Sequence, residues 1–258
     1  MNIHKFLRVQ WAIFLIIGTS AALSQQVDSH DQAQRVAQAI ASPNRAIAHV
    51  MRDESRHPQD AIAFMRIPDG GRVLDIYAAD GYYSYLLAAA VGPDGEVIAQ
   101  NPEPGEDFQD IQQMYSLADA LDERIEIAGL QNITHLRRNF STLPLEKGSL
   151  DTVFLGQILH DFSNSNEQRA LALLRQFHEL LAADGTLIVI DHAGDDGQDN
   201  ERLHRMPKET AIRLANEAGF TLAAESDLLS NPRDRRRRPV FDPMLARNTD
   251  RFLLRFTR

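Results

Sequence analysis

Residues 73–84 read VLDIYAADGYYS, and this order of residue types predicts a strand, a tight turn and a helix. The apolar run around Asp75 suits a buried strand. The residues that follow are small or turn-forming and end at Gly81, and the segment from Tyr82 is rich in residues that suit a helix. Small residues let a backbone approach a ligand closely, and a helix N-terminus offers free amide donors. The turn is therefore predicted to bind a ligand.

Strand-like and helix-like segments alternate from this stretch to the end of the sequence. Predicted strands cover residues 72–77, 96–100, 133–138, 151–156, 186–191, 220–226 and 251–257. Predicted helices cover residues 82–91, 107–128, 166–184 and 207–218. Such alternation predicts the α/β class, with a doubly wound, mostly parallel, seven-stranded Rossmann-like sheet. No helix is predicted between the last two strands, which indicates an antiparallel pair at one edge.

The residues ahead of this domain predict two further segments. Residues 1–24 combine positive charges, an apolar run over 11–23 and small residues at the end, which are the parts of a secretory signal peptide. The run is shorter than the ~20 residues of a membrane-spanning helix, and an uncleaved anchor is the alternative. Residues 25–68 predict an N-terminal helical extension, and residues 69–258 the α/β domain. We expect a periplasmic or secreted protein without a stable membrane span after cleavage.

Composition narrows the classes of function. The sequence of 258 residues carries a formal net charge of −9, which argues against nucleic-acid binding because phosphate neutralisation needs a basic face. It contains no cysteine, which excludes disulfides, thiolate nucleophiles and zinc–thiolate sites. The basic cluster RDRRRRP at 233–239 is either a solvated loop or a contact for an anionic ligand or partner. Nothing in the pattern indicates an oligomeric state.

Polar residues follow the next two predicted strands as well. Asn101 and Glu103 come after the second strand, and Asn139 and Phe140 after the third. Ligands of a doubly wound sheet bind beyond the carboxyl ends of its strands, near the point where the strand order reverses. Taken with residues 75–82, these tails resemble the class I S-adenosylmethionine-dependent methyltransferases.

The resemblance covers segments between residues 70 and 230. The first motif of the family, DxGxGxG, stands here as Asp75, Tyr77, Ala79 and Gly81. Asn101 takes the place of the family's ribose-binding acid, and Asn139 that of its adenine-binding acid. GSLDTVFLGQILHDF and ELLAADGTLIVIDH are similar to the fourth-strand and fifth-strand segments. The resemblance implies S-adenosylmethionine as cofactor, bound by Asp75, Tyr77, Ala79, Gly81, Tyr82, Asn101, Asn139 and Phe140.

Two departures from the family pattern predict a remodelled cofactor site. Alanine at position 79 is tolerable if the backbone there keeps a negative φ. Tyr77 must point either into the core beneath the loop or across the mouth of the pocket. Asn101 and Asn139 can still bind ribose and adenine as amides, but without charge assistance.

A narrower similarity concerns the segments GYYS, VIAQNP, LHD, IDH and AESDLLSNP. They resemble a group of exported bacterial proteins known only as predicted methyltransferases. That similarity implies the same fold and cofactor and gives no substrate.

Candidate catalytic residues follow the fourth and fifth predicted strands. They are His160 and Asp161 after one strand and Asp191 and His192 after the other, with His204 ahead of the next helix. Methyl transfer needs alignment, a base and exclusion of water, and histidine titrates near neutrality. The predicted base is His160, oriented by Asp161 or Asp191. The alternative is that these histidines only cap strand ends and bond loop carbonyls.

These residues also allow other roles at this edge of the sheet. Three histidines and two aspartates could hold a divalent metal. Neighbouring side chains of an extended chain point in opposite directions, so no metal-ligand set is predicted. Arg52, Arg56 and His57 of the N-terminal extension could close over the pocket.

The predicted function is S-adenosylmethionine-dependent methyl transfer to an unidentified small molecule. The alternative is a non-catalytic ligand-binding protein that reuses the fold in the periplasm. A hydrolase is disfavoured because no GxSxG motif occurs. A dehydrogenase is disfavoured because the first loop lacks the GxGxxG form.

Overall fold

A seven-stranded sheet runs through the computed structural model, in the order β3-β2-β1-β4-β5-β7-β6. The structure describes residues 30–103 and 111–258, without the side chains of 111–116. The predicted signal peptide lies outside these residues. The strands are β1 (Arg72–Ile76), β2 (Glu96–Asn101), β3 (Ile133–Arg137), β4 (Leu150–Gly156), β5 (Leu181–His192), β6 (Thr221–Ser226) and β7 (Arg251–Thr257).

Helices cover both faces of this sheet. They are α1 (30–41), α2 (Ile47–Arg56), α3 (Pro58–Met65), α4 (Tyr82–Val91), α5 (Ile111–Ala128), α6 (Leu159–Ser165), α7 (Glu167–Leu180), α8 (Asn200–Leu203) and α9 (Lys208–Glu217). Single 3-10 turns stand at Phe140–Thr142 and Pro243–Leu245. Among the described helices, none combines the length and the apolar character that a membrane crossing needs.

Strands β1 to β5 run parallel, and β7 lies antiparallel between β5 and β6. The strand order reverses at β1, whose Asp75 pairs with Ala99 of β2 on one side and Phe154 of β4 on the other. Ligands of such sheets bind beyond the carboxyl ends at this reversal. The α/β class and the mostly parallel seven-stranded sheet are confirmed, including the antiparallel pair at one edge.

Helix α2 lies across the loops that follow β1 and β4. Arg52 pairs with Asp80 at 2.5 Å, and Arg56 donates to the side chain of Gln157 at 2.9 Å. Helix α1 is held to the same half of the molecule, because Gln32 donates to the carbonyl oxygens of Ile67 and Ala90. Apolar side chains of α1, α3 and α4 share one core cluster with β1 and β2. The boundary between the extension at 25–68 and the domain at 69–258 stays a prediction.

The boundary between α7 and β5, and helix α6, differ from the sequence-based expectation. The helix predicted for 166–184 ends at Leu180, and β5 begins at Leu181, because Leu181 pairs with Leu150 of β4. Helix α6 was not predicted, since its sequence LHDFSNS is short and polar. The second difference matters for the site, because α6 carries His160 and Asp161.

Candidate functional site

The loop after β1 takes a left-handed course at each position where the family motif has a glycine. The φ angles are 53° at Tyr77, 51° at Ala79 and 78° at Gly81. Glycine reaches this region freely, whereas other residues are strained there by about 1–3 kcal/mol each. The condition that Ala79 keeps a negative φ is therefore not met. The loop keeps the left-handed backbone conformation of a glycine-rich loop, although Tyr77 and Ala79 stand at two of the glycine positions.

Asn101 holds this loop from the end of β2. Its Oδ1 accepts from the backbone N–H of Ala79 at 2.9 Å, and its Nδ2 donates to the Ala79 carbonyl at 3.2 Å. Nδ2 also lies 3.0 Å from Nε2 of His135, and the residue is fully buried. The preceding Gln100 accepts from the backbone N–H of Tyr77 at 3.1 Å. Both polar atoms of the Asn101 amide are thus engaged inside the protein rather than turned toward a ribose.

Tyr77 is buried in an aromatic cluster beyond the carboxyl ends of β3 and β4. Its ring packs against Phe140 and Phe162, with centroid distances of 6.3 Å and 5.9 Å. The two phenylalanine rings contact each other edge to face at 5.0 Å. Asn139 caps the 3-10 turn, since its Oδ1 accepts from the backbone N–H and the hydroxyl of Ser141. An aromatic cluster therefore lies between the loops after β1 and β3 and helix α6.

Asp75 faces helix α4. The hydroxyl of Ser84 donates to its carboxylate at 2.6 Å, and Asp75 is 2% exposed. Burial raises the pKa of Asp75 to about 7, against the opposing effects of the Ser84 hydrogen bond and the Arg56 charge. Asp75 thus supports the start of α4 from beneath, and it does so partly as the neutral acid at pH 7.

Tyr82 and Asp80 connect the loop to α2. The Tyr82 hydroxyl donates to Asp53 at 2.8 Å, and the Arg56 guanidinium lies 4.4 Å from the centre of the Tyr82 ring. Burial opposes ionisation of Asp80, but hydrogen bonds from His49 and Arg52 dominate and hold its pKa far below the usual range. Arg52 and Arg56 therefore lie over the loop, whereas the predicted third residue, His57, is exposed at the junction of α2 and α3.

The fit of S-adenosylmethionine to this loop is decided by Tyr77. The left-handed backbone of residues 77–81 and the N-terminus of α4 fit a closely approaching ligand. Tyr77 is 6% exposed and would have to turn away from the aromatic cluster to open the space above β1. Half-buried Ala79, half-buried Asn139 and the first turn of α4 are the groups that would hold the cofactor. Asp75 and Asn101 would act by shaping the loop.

The predicted catalytic residues meet at the carboxyl ends of β4 and β5. Nδ1 of His160 lies 2.7 Å from one oxygen of Asp191, and the other oxygen accepts the backbone N–H of His160 at 2.9 Å. Asp191 is fully buried and His160 is 3% exposed. Because Nδ1 faces the carboxylate, it carries a proton, and Nε2 points outward. Asp191 thus fixes the ring of His160 in one orientation.

Asp161 and His204 complete the cluster on the outer side of His160. Asp161 Oδ1 lies 3.1 Å from Nε2 of His160 and 3.2 Å from Nδ1 of His204. The expectation that His160 and Asp161 point in opposite directions is wrong, because they begin a helix rather than extend a strand. His192 turns elsewhere: its Nδ1 contacts the Thr249 hydroxyl at 2.7 Å, and its Nε2 contacts Gln157 at 3.0 Å.

The charges of the cluster follow from this arrangement. Burial opposes the charged form of His160, but the carboxylates of Asp191 and Asp161 outweigh it and raise the pKa to about 10. A protonated imidazole cannot accept a proton, so His160 suits a donor or an anion-stabilising group better than the predicted base. Burial and the neighbouring His160 charge hold the pKa of His192 well below its usual value, so His192 is neutral. The catalytic roles themselves stay predictions.

Sequence reasoning missed Gln157 and Thr249 as partners of this site. Gln157 follows β4 directly and bridges Arg56 of α2 to His192 of β5. Reading the residue immediately behind the strand would have found it. Thr249 lies 57 positions from His192 in the sequence, and no local pattern marks that contact.

The basic cluster at 233–239 is partly neutralised within the chain. Arg236 pairs with Asp195 at 2.9 Å and with Asp250 at 2.7 Å, and Arg238 pairs with Asp242 at 2.8 Å. These ion pairs position the loop against the domain. A partner for the cluster stays a hypothesis.

Comparisons with known proteins agree with this fold. No protein-family model matches the sequence. Two demethylmenaquinone methyltransferases are similar to it, one from Geobacillus kaustophilus at 25% identity over 133 residues and one from Lactococcus lactis at 30% over 122 residues. These matches cover 52% and 47% of this chain. They cover 50% and 42% of the relatives, so the chain spans about half of their length or less.

A solved structure gives the same result at the level of the fold. A SAM-dependent methyltransferase from Aquifex aeolicus superposes with a TM-score of 0.58 and 18% identity, covering 80% of this chain and 92% of that one. The fold is therefore that of the class I methyltransferases. The similar proteins are methyltransferases in both comparisons, and the solved structure is SAM-dependent by its description.

Proposed function

We propose that this chain is an S-adenosylmethionine-dependent methyltransferase that acts on a small molecule. The observation that carries the proposal is the loop at 77–81, which stays left-handed at all three glycine positions of the family motif. This left-handed conformation is strained for Tyr77 and Ala79. Such strain persists where the surrounding structure holds the backbone in that conformation, typically at functional sites. The similarity to S-adenosylmethionine-dependent methyltransferases supports the same cofactor.

The acceptor is proposed to lie beside His160, at the ends of β4 and β5. The ring of Phe162 connects the two halves of the site, since α6 carries both His160 and Phe162 and Phe162 packs on Tyr77. A protonated His160 would stabilise an acceptor oxygen that bears negative charge, as in a phenolate or the anion of a quinol, when that oxygen displaces Asp161 from Nε2. The similarity to demethylmenaquinone methyltransferases makes quinols the first acceptor class to test.

One observation favours a second candidate, a ligand-binding protein without methyltransferase activity. Tyr77, Asp75 and Asn101 are buried and engaged in contacts within the protein. A cofactor loop that has become a structural support would show the same contacts. This candidate predicts that S-adenosylmethionine does not bind.

Calorimetric titration of the chain from Gln25 with S-adenosylmethionine and S-adenosylhomocysteine separates the two. The methyltransferase proposal predicts saturable binding of both in the micromolar range. It further predicts methyl transfer from the labelled cofactor to a quinol in a panel of small hydroxyl compounds. Absence of binding at millimolar ligand would overturn the proposal and leave the second candidate.

We also propose that residues 1–24 direct export of the chain. The charge, apolar run and small residues of this segment support the proposal. Fusion of residues 1–30 to a reporter that is active only outside the cytoplasm tests it. Reporter activity that is lost when Ile13 and Leu15 are replaced by Asp is expected, and an inactive intact fusion would contradict export.

A further inference from the structure

The side chains of His160, Asp161 and His204 converge at the carboxyl edge of the sheet. Each offers one ligand atom, and the three atoms lie within 4.8 Å of one another. We propose that these residues bind a divalent transition-metal ion, with Zn²⁺ as the reference case. The inference does not depend on methyl transfer or on cofactor binding.

Two of the three spacings between ligand atoms are close to those of a zinc site, and the third is within 4.8 Å. Asp161 Oδ1 lies 3.1 Å from His160 Nε2 and 3.2 Å from His204 Nδ1. In a tetrahedral site with bonds of about 2.0–2.2 Å, neighbouring ligand atoms are roughly 3.3–3.6 Å apart. The two measured contacts are therefore within a few tenths of an ångström of two edges of that tetrahedron. Two imidazoles and one carboxylate form a donor set that zinc and similar metals accept.

A buried carboxylate orients the first ligand. Asp191 is fully buried and accepts from both Nδ1 and the backbone N–H of His160. Histidine ligands of metal ions commonly donate their other ring N–H to such a carboxylate, which fixes the tautomer and strengthens the ligand. Here the arrangement leaves Nε2 of His160 directed at Asp161. Asp191 is not one of the three proposed ligands, and it belongs to a different element, β5.

The contact between Nε2 and Asp161 requires a positive charge. With the ring proton on Nδ1, Nε2 and the carboxylate oxygen are both acceptors, and at 3.1 Å they repel each other. A second proton on His160 relieves that repulsion. A metal ion relieves it as well, and it also uses Nδ1 of His204, which approaches the same oxygen.

The cluster is open on one side. The side chain of Asp161 is 31% exposed and that of His204 is 36% exposed, so an ion can enter from solvent. His204 follows α8 in a left-handed conformation with φ 53° and stacks edge to face on Phe241. Three protein ligands leave a fourth position for water or substrate, as in catalytic rather than structural zinc sites.

Metal titration tests the proposal on the full chain without cofactor. The protein is stripped with a chelator and titrated with Zn²⁺ and with Co²⁺ by calorimetry and visible absorption. One equivalent of saturable binding is expected, with Co²⁺ bands typical of four or five ligands. His204→Asn should weaken this binding at least tenfold while keeping the fold, because asparagine tolerates the left-handed conformation. Asp161→Asn should weaken it similarly.

His57→Asn is the matched control. His57 is exposed and left-handed, with φ 43°, lies at the end of α2 and does not belong to the three-ligand cluster. Its substitution should leave metal affinity unchanged, with circular dichroism confirming that all variants fold. Absence of saturable binding would mean that a proton alone occupies the cluster and would overturn the proposal. Equal affinity in the native chain, His204→Asn and Asp161→Asn would overturn it as well.

Discussion

The side chain of Asn101 bonds both backbone groups of Ala79, accepting from its N–H at 2.9 Å and donating to its carbonyl at 3.2 Å. This amide closes the loop after β1 onto the end of β2. Residues 79 and 101 are thus coupled, and an acid at position 101, as in the motif that the sequence resembles, could make only the first of the two bonds. The loop and the residue behind β2 therefore form one structural unit.

Asn101→Asp, which introduces the acid of the motif that the sequence resembles, is expected to destabilise the protein. A carboxylate oxygen would replace Nδ2 and face the Ala79 carbonyl, so a buried acceptor loses its donor at a cost of about 1–3 kcal/mol. We expect no gain in affinity for S-adenosylmethionine. Urea unfolding and calorimetry measure both quantities.

Asn139→Asp is the control for that substitution. Asn139 is half-buried and caps the 3-10 turn through Oδ1, a role that aspartate fills equally well. Its stability should stay within about 0.5 kcal/mol of the native chain. Tighter cofactor binding by Asn101→Asp without loss of stability would show that the amide is not holding the loop.

Tyr77→Gly is expected to strengthen S-adenosylmethionine binding while weakening the fold. Removal of the ring opens the space above β1 and relieves the left-handed strain at φ 53°. Loss of the packing on Phe140 and Phe162 costs about 3–5 kcal/mol, offset in part by the relieved strain. An unchanged affinity in a folded variant would show that the tyrosine does not occupy the cofactor space.

Ala79→Gly separates strain from packing at the same loop. Only a methyl group is lost, and φ is 51°, so we expect a gain in stability on the order of 1 kcal/mol. Ala89→Gly is the matched control, since Ala89 is also half-buried but lies inside α4. Glycine there should cost about 1 kcal/mol. Loss of stability at both positions would contradict the strained course of the loop.

Element positions were predictable where the sequence marks both ends. Helix α4 occupies the predicted residues because Gly81 and Gly92 bound its apolar run. The start of β5 was not predictable, because LAADG at 181–185 continues the helical pattern of α7 and only pairing with Leu150 makes it a strand. The doubly wound sheet and its antiparallel edge pair followed from the alternation of segments, whereas the order of the strands was not predicted.

The sequence predicted where the candidate site lies but not which way its side chains point. The strand tails gave His160, Asp161, Asp191 and His192, which do lie at one edge. The direction of each side chain depends on contacts far apart in sequence, such as His192 with Thr249. Likewise no local pattern tells whether Asn101 faces a ligand or the loop 22 residues before it.

Asp75 is expected to make stability depend on pH in the neutral range. Burial, which raises its pKa to about 7, favours the protonated acid in the folded state, whereas the unfolded value is near 4. An acid with a raised pKa stabilises the fold fully below its unfolded pKa, and the contribution is lost as pH rises through the folded pKa. Between pH 5 and 8 the loss should amount to about 2–3 kcal/mol.

Asp75→Asn isolates this contribution. The amide keeps the shape of the acid and can accept from Ser84, but it does not titrate. Urea unfolding of both proteins from pH 5 to pH 8 should show a difference in stability that shifts in favour of the variant with rising pH. Parallel pH profiles would mean that the pKa of Asp75 is not raised in the folded protein, because water reaches its carboxyl group.

Gly81→Ala is expected to destabilise the protein more than Gly129→Ala. Both glycines are left-handed, with φ 78° and 64°, so alanine meets similar backbone strain at each. A Cβ at position 81 would lie 2.4 Å from Cδ1 of buried Leu121, whereas at position 129 no atom lies within 4 Å. Leu121 must repack in the first case, which adds about 1–3 kcal/mol to the loss. Chemical denaturation of the two variants measures the difference. Equal losses would show that Leu121 can move to make room for the new Cβ without loss of stability.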